Sequence, residues 1–286
     1  VAAERGNSVY FPDMVIPMLP ENLSNHWCSL KPHEERPCLA VHLWITSNGQ
    51  TLRQKFVRGL MKSHARLTYD QAQAAADGNP DEMTTPIYEN IIKPLFGAYK
   101  ALQKERRKRE PLDLNLPEKK ISLDEKYRVQ DIKNRPRHDS HKLIEEFMIA
   151  ANVAAAKTLE KQNCLYRVHE EPPEKNLVSF RAFLKAFGFN LPKGQVLMAR
   201  SFNQILKRAY EQNSYEPVAH MILRTQSQAI YTTSNVGHFG LSLRTYCHFT
   251  SPIRRYADLI IHRLLIEALK LDGKQSKYNF YNIENI

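Results

Sequence analysis

At 286 residues, 42% hydrophobic and 25% charged, the chain is long enough to bury a substantial core, as one large domain or two small ones. Its 41 Lys and Arg against 30 Asp and Glu give a formal charge of +11. That excess favours a polyanionic partner, nucleic acid first, over an acidic protein or a neutral small molecule; plain solubility is the alternative reading. No apolar run reaches the roughly 20 residues that cross a bilayer, and Cys28, Cys38, Cys164 and Cys247 lack C-x-x-C spacing, so a cytoplasmic chain with reduced thiols, no membrane and no obligate protein partner is expected.

In chain order, the N-terminal VAAERGNS carries no signal pattern, and with the C-terminal YNFYNIENI it reads as the cut end of a longer protein. A Pro-punctuated stretch leads into CLAVHLWIT, a near period-two run, then an Asn48-Gly49 turn and LRQKFVRGL, which together predict a hairpin. A helix over Tyr69–Ala76 is broken by Gly78-Asn79-Pro80, and helical periodicity resumes over 84–109. Short alternating runs at 112–132 (LDLNL, KKISL, YRVQDI) predict two or three antiparallel strands.

The clearest helix spans 139–162, capped by Asp139 or Ser140, with Leu143, Ile144, Phe147, Met148 and Ala151 as its apolar stripe. Its opposite edge carries Glu145, Glu146 and Asn152. Further helices are expected at 174–187, 200–212 and 217–230. Strands early, helices later and no alternating βα rhythm point to an α+β fold, with helices packed on a curved, mainly antiparallel sheet.

The chemistry concentrates in GHFGLSLRTYCHFTSPIRRYADLIIHR, residues 237–263. Residues 241–248 read as a strand, and Thr250 or Ser251 as the cap of a helix whose first residue is Pro252. Free N–H groups at such a start attract anions, and Arg254 and Arg255 in a first turn oppose the helix dipole unless an anionic partner, such as a phosphodiester, lies outside. A simple ion pair with Asp258 one turn on is the competing explanation. Tyr10, Phe11 and Tyr69, the last following the basic His64-Ala65-Arg66, sit on irregular segments where bases of single-stranded nucleic acid can stack; core filling is the plainer role. A carboxylate of Glu145 or Glu146 can accept from a ribose 2′-hydroxyl, unless the pair is only a solvated helix face. His262 reads as a hydrogen-bonded interior residue. No knot of closely spaced aspartates of the kind that holds Mg²⁺ is present, because Asp13, Asp70, Asp81, Asp113 and Asp258 stand apart.

On RGNSVYFPDMVIPMLPENLSNHWCSLKPHEERPCLAV, SHARLTYDQA, HKLIEEFMIAANVAAAK and above all the 237–263 segment, the chain resembles the RNB catalytic domain of the ribonuclease II and ribonuclease R exoribonucleases, closest to the bacterial ribonuclease R branch. The likeness runs nearly end to end, making residues 1–286 a partial RNB domain. It implies a 3′→5′ hydrolytic exoribonuclease that threads single-stranded RNA into a channel and releases nucleoside 5′-monophosphates with Mg²⁺. Arg254 then matches the catalytic arginine, with Arg255 beside it. Tyr10 matches the residue stacking at the RNA 3′ end, Tyr69 the tyrosine that helps set product length, and Glu146, with Glu145 adjacent, the glutamate at the 3′ end. Arg66 joins them as an RNA-binding residue. The family's Mg²⁺-binding aspartates fall upstream of residue 1, and the OB-type domain falls beyond Ile286, so this chain alone is expected to be inactive. Leu114 stands where the family often has Phe, which removes one stacking contact. The alternative of another class is an inactive RNA-binding or scaffolding module of the same fold, and a remote third is a site built on Cys247-His248.

Overall fold

The computed structural model describes residues 1–192 and 197–273, so the YNFYNIENI run lies outside the described residues. Its elements in chain order are α1 (Ala2–Arg5), β1 (Val9–Tyr10), β2 (Val15–Ile16), β3 (Glu35–Ile45), β4 (Thr51–Lys62), α2 (Tyr69–Ala76), α3 (Lys93–Arg109), β5 (Lys119–Leu123), β6 (Val129–Asn134), α4 (Asp139–Thr158), β7 (Tyr166–Val168), α5 (Glu174–Ala186), α6 (Ala199–Glu211), α7 (Tyr215–Thr225), β8 (Ile230–Thr232) and α8 (Tyr256–Ala268). The α+β class and the antiparallel pairing are as expected. Among the described residues the strands form four two-stranded ladders, β1–β2, β3–β4, β5–β6 and β7–β8, in place of one continuous curved sheet. Three of the four are hairpins, whose short connections pair neighbours in sequence before any distant strand is met.

Two compact units emerge. The first comprises Val1–Glu105, Lys119–Leu165 and the chain from Cys247 on; the second comprises Arg106–Glu118 and Tyr166–Tyr246. In the first, the β3–β4 hairpin follows its period-two pattern. Gln54 and Phe56 share one face: Phe56 is buried, and Gln54 Nε2 donates to the Ala154 carbonyl (3.0 Å) and Thr158 Oγ1 (2.8 Å) of α4. The Asn48-Gly49 turn is present, and it requires glycine twice over. Gly49 has φ 86°, and a Cβ there would sit 2.2 Å from the Ala101 carbonyl oxygen of α3.

The long helix α4 starts at Asp139 but ends at Thr158, four residues early, and neither Asp139 nor Ser140 caps it. His138 occupies the cap position, its N–H donating to His141 Nδ1 at 3.2 Å. Ser140 is instead buried against α2, its N–H donating to Gln73 Oε1 (3.0 Å) and its hydroxyl to the Tyr69 carbonyl (2.9 Å).

The second unit is a helical cluster in which Leu177, Phe180, Leu184, Phe202, Ile205 and Ile222 of α5, α6 and α7 share one core. Of the two or three strands expected over 112–132, two form, β5 and β6, and LDLNL is not one of them. Leu112, Leu114 and Leu116 pack on this core from an extended segment whose backbone is satisfied by side chains: Asn203 brackets it, accepting from Asp113 N–H (2.9 Å) and donating to the Pro111 carbonyl (2.8 Å), and Tyr215 Oη accepts from Asn115 N–H (2.8 Å). With those groups paired, no partner strand is required. The helix expected over 217–230 runs only over Tyr215–Thr225, because Gln226 turns extended (φ −63°, ψ 151°) and Ile230–Thr232 pairs with β7.

Candidate nucleic-acid interface

The SPIRRYAD segment departs from the helix start read from its sequence. Pro252 does not open a helix; α8 begins at Tyr256, with Arg255 as its extended N-cap residue (φ −136°, ψ 126°). The cause is Asp258, fully buried in the first turn of α8. Its carboxylate reaches back to accept from Ser251 N–H (2.7 Å), Arg255 Nε (2.7 Å) and Arg255 Nη2 (2.8 Å). A side-chain acceptor thus closes residues 251–255 into a loop that a regular helix would have unrolled. The ion pair read as the competing explanation for the arginines is real for Arg255 and absent for Arg254. Arg254 is exposed and its guanidinium has no carboxylate partner among the described residues.

Two further anchors hold this loop. Asn152 of α4, 1% exposed, accepts from the N–H groups of Phe249 (2.8 Å) and Thr250 (3.2 Å). His262 Nε2 donates to the Phe249 carbonyl (2.8 Å) while its ring stacks on Phe249 (4.6 Å), and burial holds its imidazole below the usual histidine range, as an interior residue. Asn152 stood in the sequence only as part of a polar helix edge. The two backbone donors it satisfies, at Phe249 and Thr250, lie just beyond the strand expected over 241–248.

The N-terminal segment lies along the same loop, a pairing that no sequence pattern announced. Ser8 N–H donates to the Arg254 carbonyl (3.0 Å), Tyr256 N–H donates to the Gly6 carbonyl (2.8 Å), and Asn7 bridges Arg255 in antiparallel sense. Ser8 Oγ also accepts from the N–H of the buried Met18 (2.9 Å). Two residues on, Tyr10 projects from the small β1–β2 ladder and is 61% exposed. Tyr10 and Arg254, separated by 244 positions in sequence (254 − 10), are thereby tied through adjacent backbone.

The remaining candidates lie on α4, on α2 and on the segment before α2. Tyr69, at the start of α2, is fixed by Ser140 and stacks on His141 (4.0 Å, 18°), leaving 39% of its surface exposed. Glu145 pairs with Arg137 (2.8 Å) at the surface, whereas Glu146 is buried at 5% exposure. Arg66 is exposed on the segment leading to Tyr69. An open cavity lined by His64, Thr68, Tyr69, Ser140, Leu143 and Ile144, among others, adjoins them.

The Cys247-His248 alternative loses its footing. Cys247 is fully buried, its Sγ donates to the Asn152 carbonyl (3.4 Å), and burial raises its thiol far from a reactive thiolate. Among the described residues no group of three or more His, Cys, Asp or Glu is arranged to hold a metal ion. No helix among them is long and apolar enough to cross a membrane.

The part of the 237–263 motif up to Tyr246 belongs to the second unit, where a short 3₁₀ turn forms at Phe239–Leu241, and the strand expected over 241–248 does not form. Gly240 N–H donates to His169 Nδ1 (3.0 Å) and Leu241 N–H to His238 Nδ1 (3.2 Å), so each ring must offer a lone pair and stay neutral. Burial, then the neighbouring His169, lowers His238 to about 4.

Two predictions follow from these contacts. Asp258→Asn keeps an acceptor for Ser251 but strands the Arg255 charge, and is expected to cost about 3–5 kcal/mol in chemical unfolding. The His238 value lies below the ordinary histidine value of about 6.5, so between the two the unfolded chain binds the extra proton. Its stabilisation is complete above that ordinary value and is lost as pH falls toward about 4; His238→Gln should flatten the dependence of the unfolding midpoint on pH across this window.

Residues 1–271 match the RNB domain. Ribonuclease R of Escherichia coli (strain K12) is 41% identical over 268 residues, covering 92% of this chain and 33% of the relative, so the chain spans about a third of that protein's length. The solved structure of Mycoplasma genitalium RNase R in complex with ribose methylated single-stranded RNA superposes with a TM-score of 0.85 at 31% identity, over 96% of this chain and 46% of that one. Yeast Ssd1, described as a pseudonuclease, shares the fold alone: TM-score 0.73 at 19% identity, over 96% of this chain and 34% of its own. With the family match spanning nearly its whole length, the chain belongs to the RNB domain family.

Proposed function

We propose that this chain is the substrate-holding part of a 3′→5′ hydrolytic exoribonuclease that degrades single-stranded RNA processively to nucleoside 5′-monophosphates. The observation that carries the reading is the division between the two arginines: Arg255 is spent on Asp258, and Arg254, on the same pinned loop, has no carboxylate partner among the described residues and lies beside the strand of Tyr10. A planar cation held this way is suited to the equatorial oxygens of a phosphodiester as charge builds on them. Tyr10 offers a stacking face for a terminal base, and Tyr69, braced by His141, offers a second. Glu146 of α4 is buried, and the family resemblance matches it to the glutamate at the RNA 3′ end. Relatives support this reading, since the E. coli protein is named Ribonuclease R and the M. genitalium RNase R was solved with single-stranded RNA.

Mg²⁺, in this proposal, is held by carboxylates of the longer protein, and it would supply an activated water and charge neutralisation at the leaving oxygen. The described residues of this chain bind and orient the RNA and steady the reacting phosphate; none of them is assigned to the metal. A second reading, an RNA-binding module without catalysis, is kept because the yeast Ssd1 pseudonuclease has the same fold.

In the complete protein, Arg254→Ala is expected to lower turnover on RNA by about 10²- to 10³-fold with little change in Kd. Tyr10→Ala is expected to weaken binding by roughly 1–3 kcal/mol. Mononucleotide release, followed with and without Mg²⁺, checks both variants. Equal loss of affinity and turnover would make Arg254 a binding residue, and no release under any Mg²⁺ condition would favour the inactive module.

A further inference from the structure

The β3–β4 hairpin has a second face that the candidate interface does not use. On it Trp44 stands directly opposite Arg53, and His42 opposite Lys55, two cross-strand pairs one pleat apart. The Arg53 guanidinium lies over the Trp44 indole at 4.6 Å, and the His42 ring is 6.2 Å from Trp44. Trp44 is nevertheless 43% exposed, and His42, Arg53 and Lys55 are all exposed. Neither Arg53 nor Lys55 has a carboxylate partner among the described residues, and no acidic residue falls on this face of the ladder, which continues through Ala40 and Val57 to Cys38 and Gly59. At the hairpin's tip Lys104 Nζ donates to the Ser47 carbonyl (3.1 Å), adding a further cation. The opposite face, by contrast, packs inward through Gln54 on α4 and Phe56 edge-on to Phe249.

An exposed indole ringed by unpaired cations on a rigid ladder is poorly explained by packing. Its charge complements a polyanion, and its aromatic face suits an unstacked base. A pairing of Arg with Trp on one side leaves the other ring face open, while the guanidinium remains available to a phosphate. We infer that the His42, Trp44, Arg53 and Lys55 face is an accessory site for single-stranded RNA, holding a stretch of the strand away from its reacting end. The inference rests on the RNA-binding reading above, and adds a second point of contact to it. Because Trp44 and Phe56 lie on opposite faces of the hairpin, an RNA bound at Arg254 and Tyr10 must pass around the ladder before it meets Trp44. Only longer RNAs gain from the site.

The test compares oligouridines of about 6 and about 30 nucleotides, a range that brackets the roughly 4–16 nucleotides covered by a typical single-strand site. Binding is measured by fluorescence anisotropy with the full chain. Trp44→Ala is expected to weaken the long RNA about 10-fold and leave the short one unchanged. For Arg53→Gln with Lys55→Gln, the salt dependence of log Kd for the long RNA should drop by roughly 1.4, the share of two phosphate contacts on a single strand. A readout that leaves the patch intact is Trp27→Phe, which makes Trp44 the sole tryptophan of the chain. Its fluorescence should be quenched by the long RNA and not by the short one. Equal Kd at both lengths for wild type and variants, with no quenching, overturns the accessory site and assigns the face to a partner other than RNA. Failure of the short RNA to bind at all would instead count against the Arg254 and Tyr10 interface.

Discussion

The arrangement of the candidate interface depends on one buried carboxylate. Asp258 has no exposure to water and satisfies its charge with three donors, two from the Arg255 guanidinium and one from the Ser251 backbone. Burying a charge is tolerable only when it is paired and hydrogen-bonded, and removing one member of such a pair is far costlier than never having built it. The loop of residues 251–255 is therefore set in one conformation, with Arg255 turned in and Arg254 turned out. Consequences spread from there along the backbone. The carbonyl of Arg254 and the N–H of Tyr256 are left facing outward to receive Ser8 and Gly6, and that pairing positions β1 and Tyr10.

Helix α4 ties the other candidate residues to the same loop. Ser140 and His141 near its start hold Tyr69; twelve residues on, about 18 Å along the axis, Asn152 caps the two backbone donors that lead into the loop. A rigid rod with polar contacts at both ends keeps Tyr69 and the arginine loop at a fixed span, as the proposed hold on an extended RNA strand requires. Tyr10, Tyr69, Arg66 and Arg254, proposed to touch RNA, are exposed, whereas Glu146 and the residues that hold the loop and the tyrosine, Asp258, Asn152 and Ser140, are buried. Rigid support beneath an open contact surface keeps the contact groups preorganised.

Much of this was legible in the sequence where local chemistry decides. The Asn48-Gly49 hairpin, the Tyr69–Ala76 helix, α4 and the helices of the second unit follow from turn residues, periodicity and breakers. Readings failed where a side chain took over a backbone's partner. Asn203 and Tyr215 satisfy LDLNL in place of a strand, Asp258 displaces the helix start from Pro252 to Tyr256, and His138 in place of Asp139 stands at the α4 cap. Each is a contact between residues whose pairing no local pattern encodes, except Asp258, whose i,i+3 spacing from Arg255 was visible and weighed as an ion pair. Local chemistry singled out the candidate residues and the motif resemblance assigned their roles, Arg254 ahead of Arg255; residue chemistry alone did not separate these two identical side chains, whose surroundings are opposite.

That separation is the central claim, and guanidinium modification reads it directly. The chain is treated with phenylglyoxal, with and without single-stranded RNA, and each arginine is followed by mass spectrometry. The account predicts that Arg254 reacts in the free chain and is shielded by RNA, while Arg255, locked to Asp258, stays unmodified in both. Modification of Arg255 in the folded chain, or an Arg254 that reacts equally with RNA present, would contradict it.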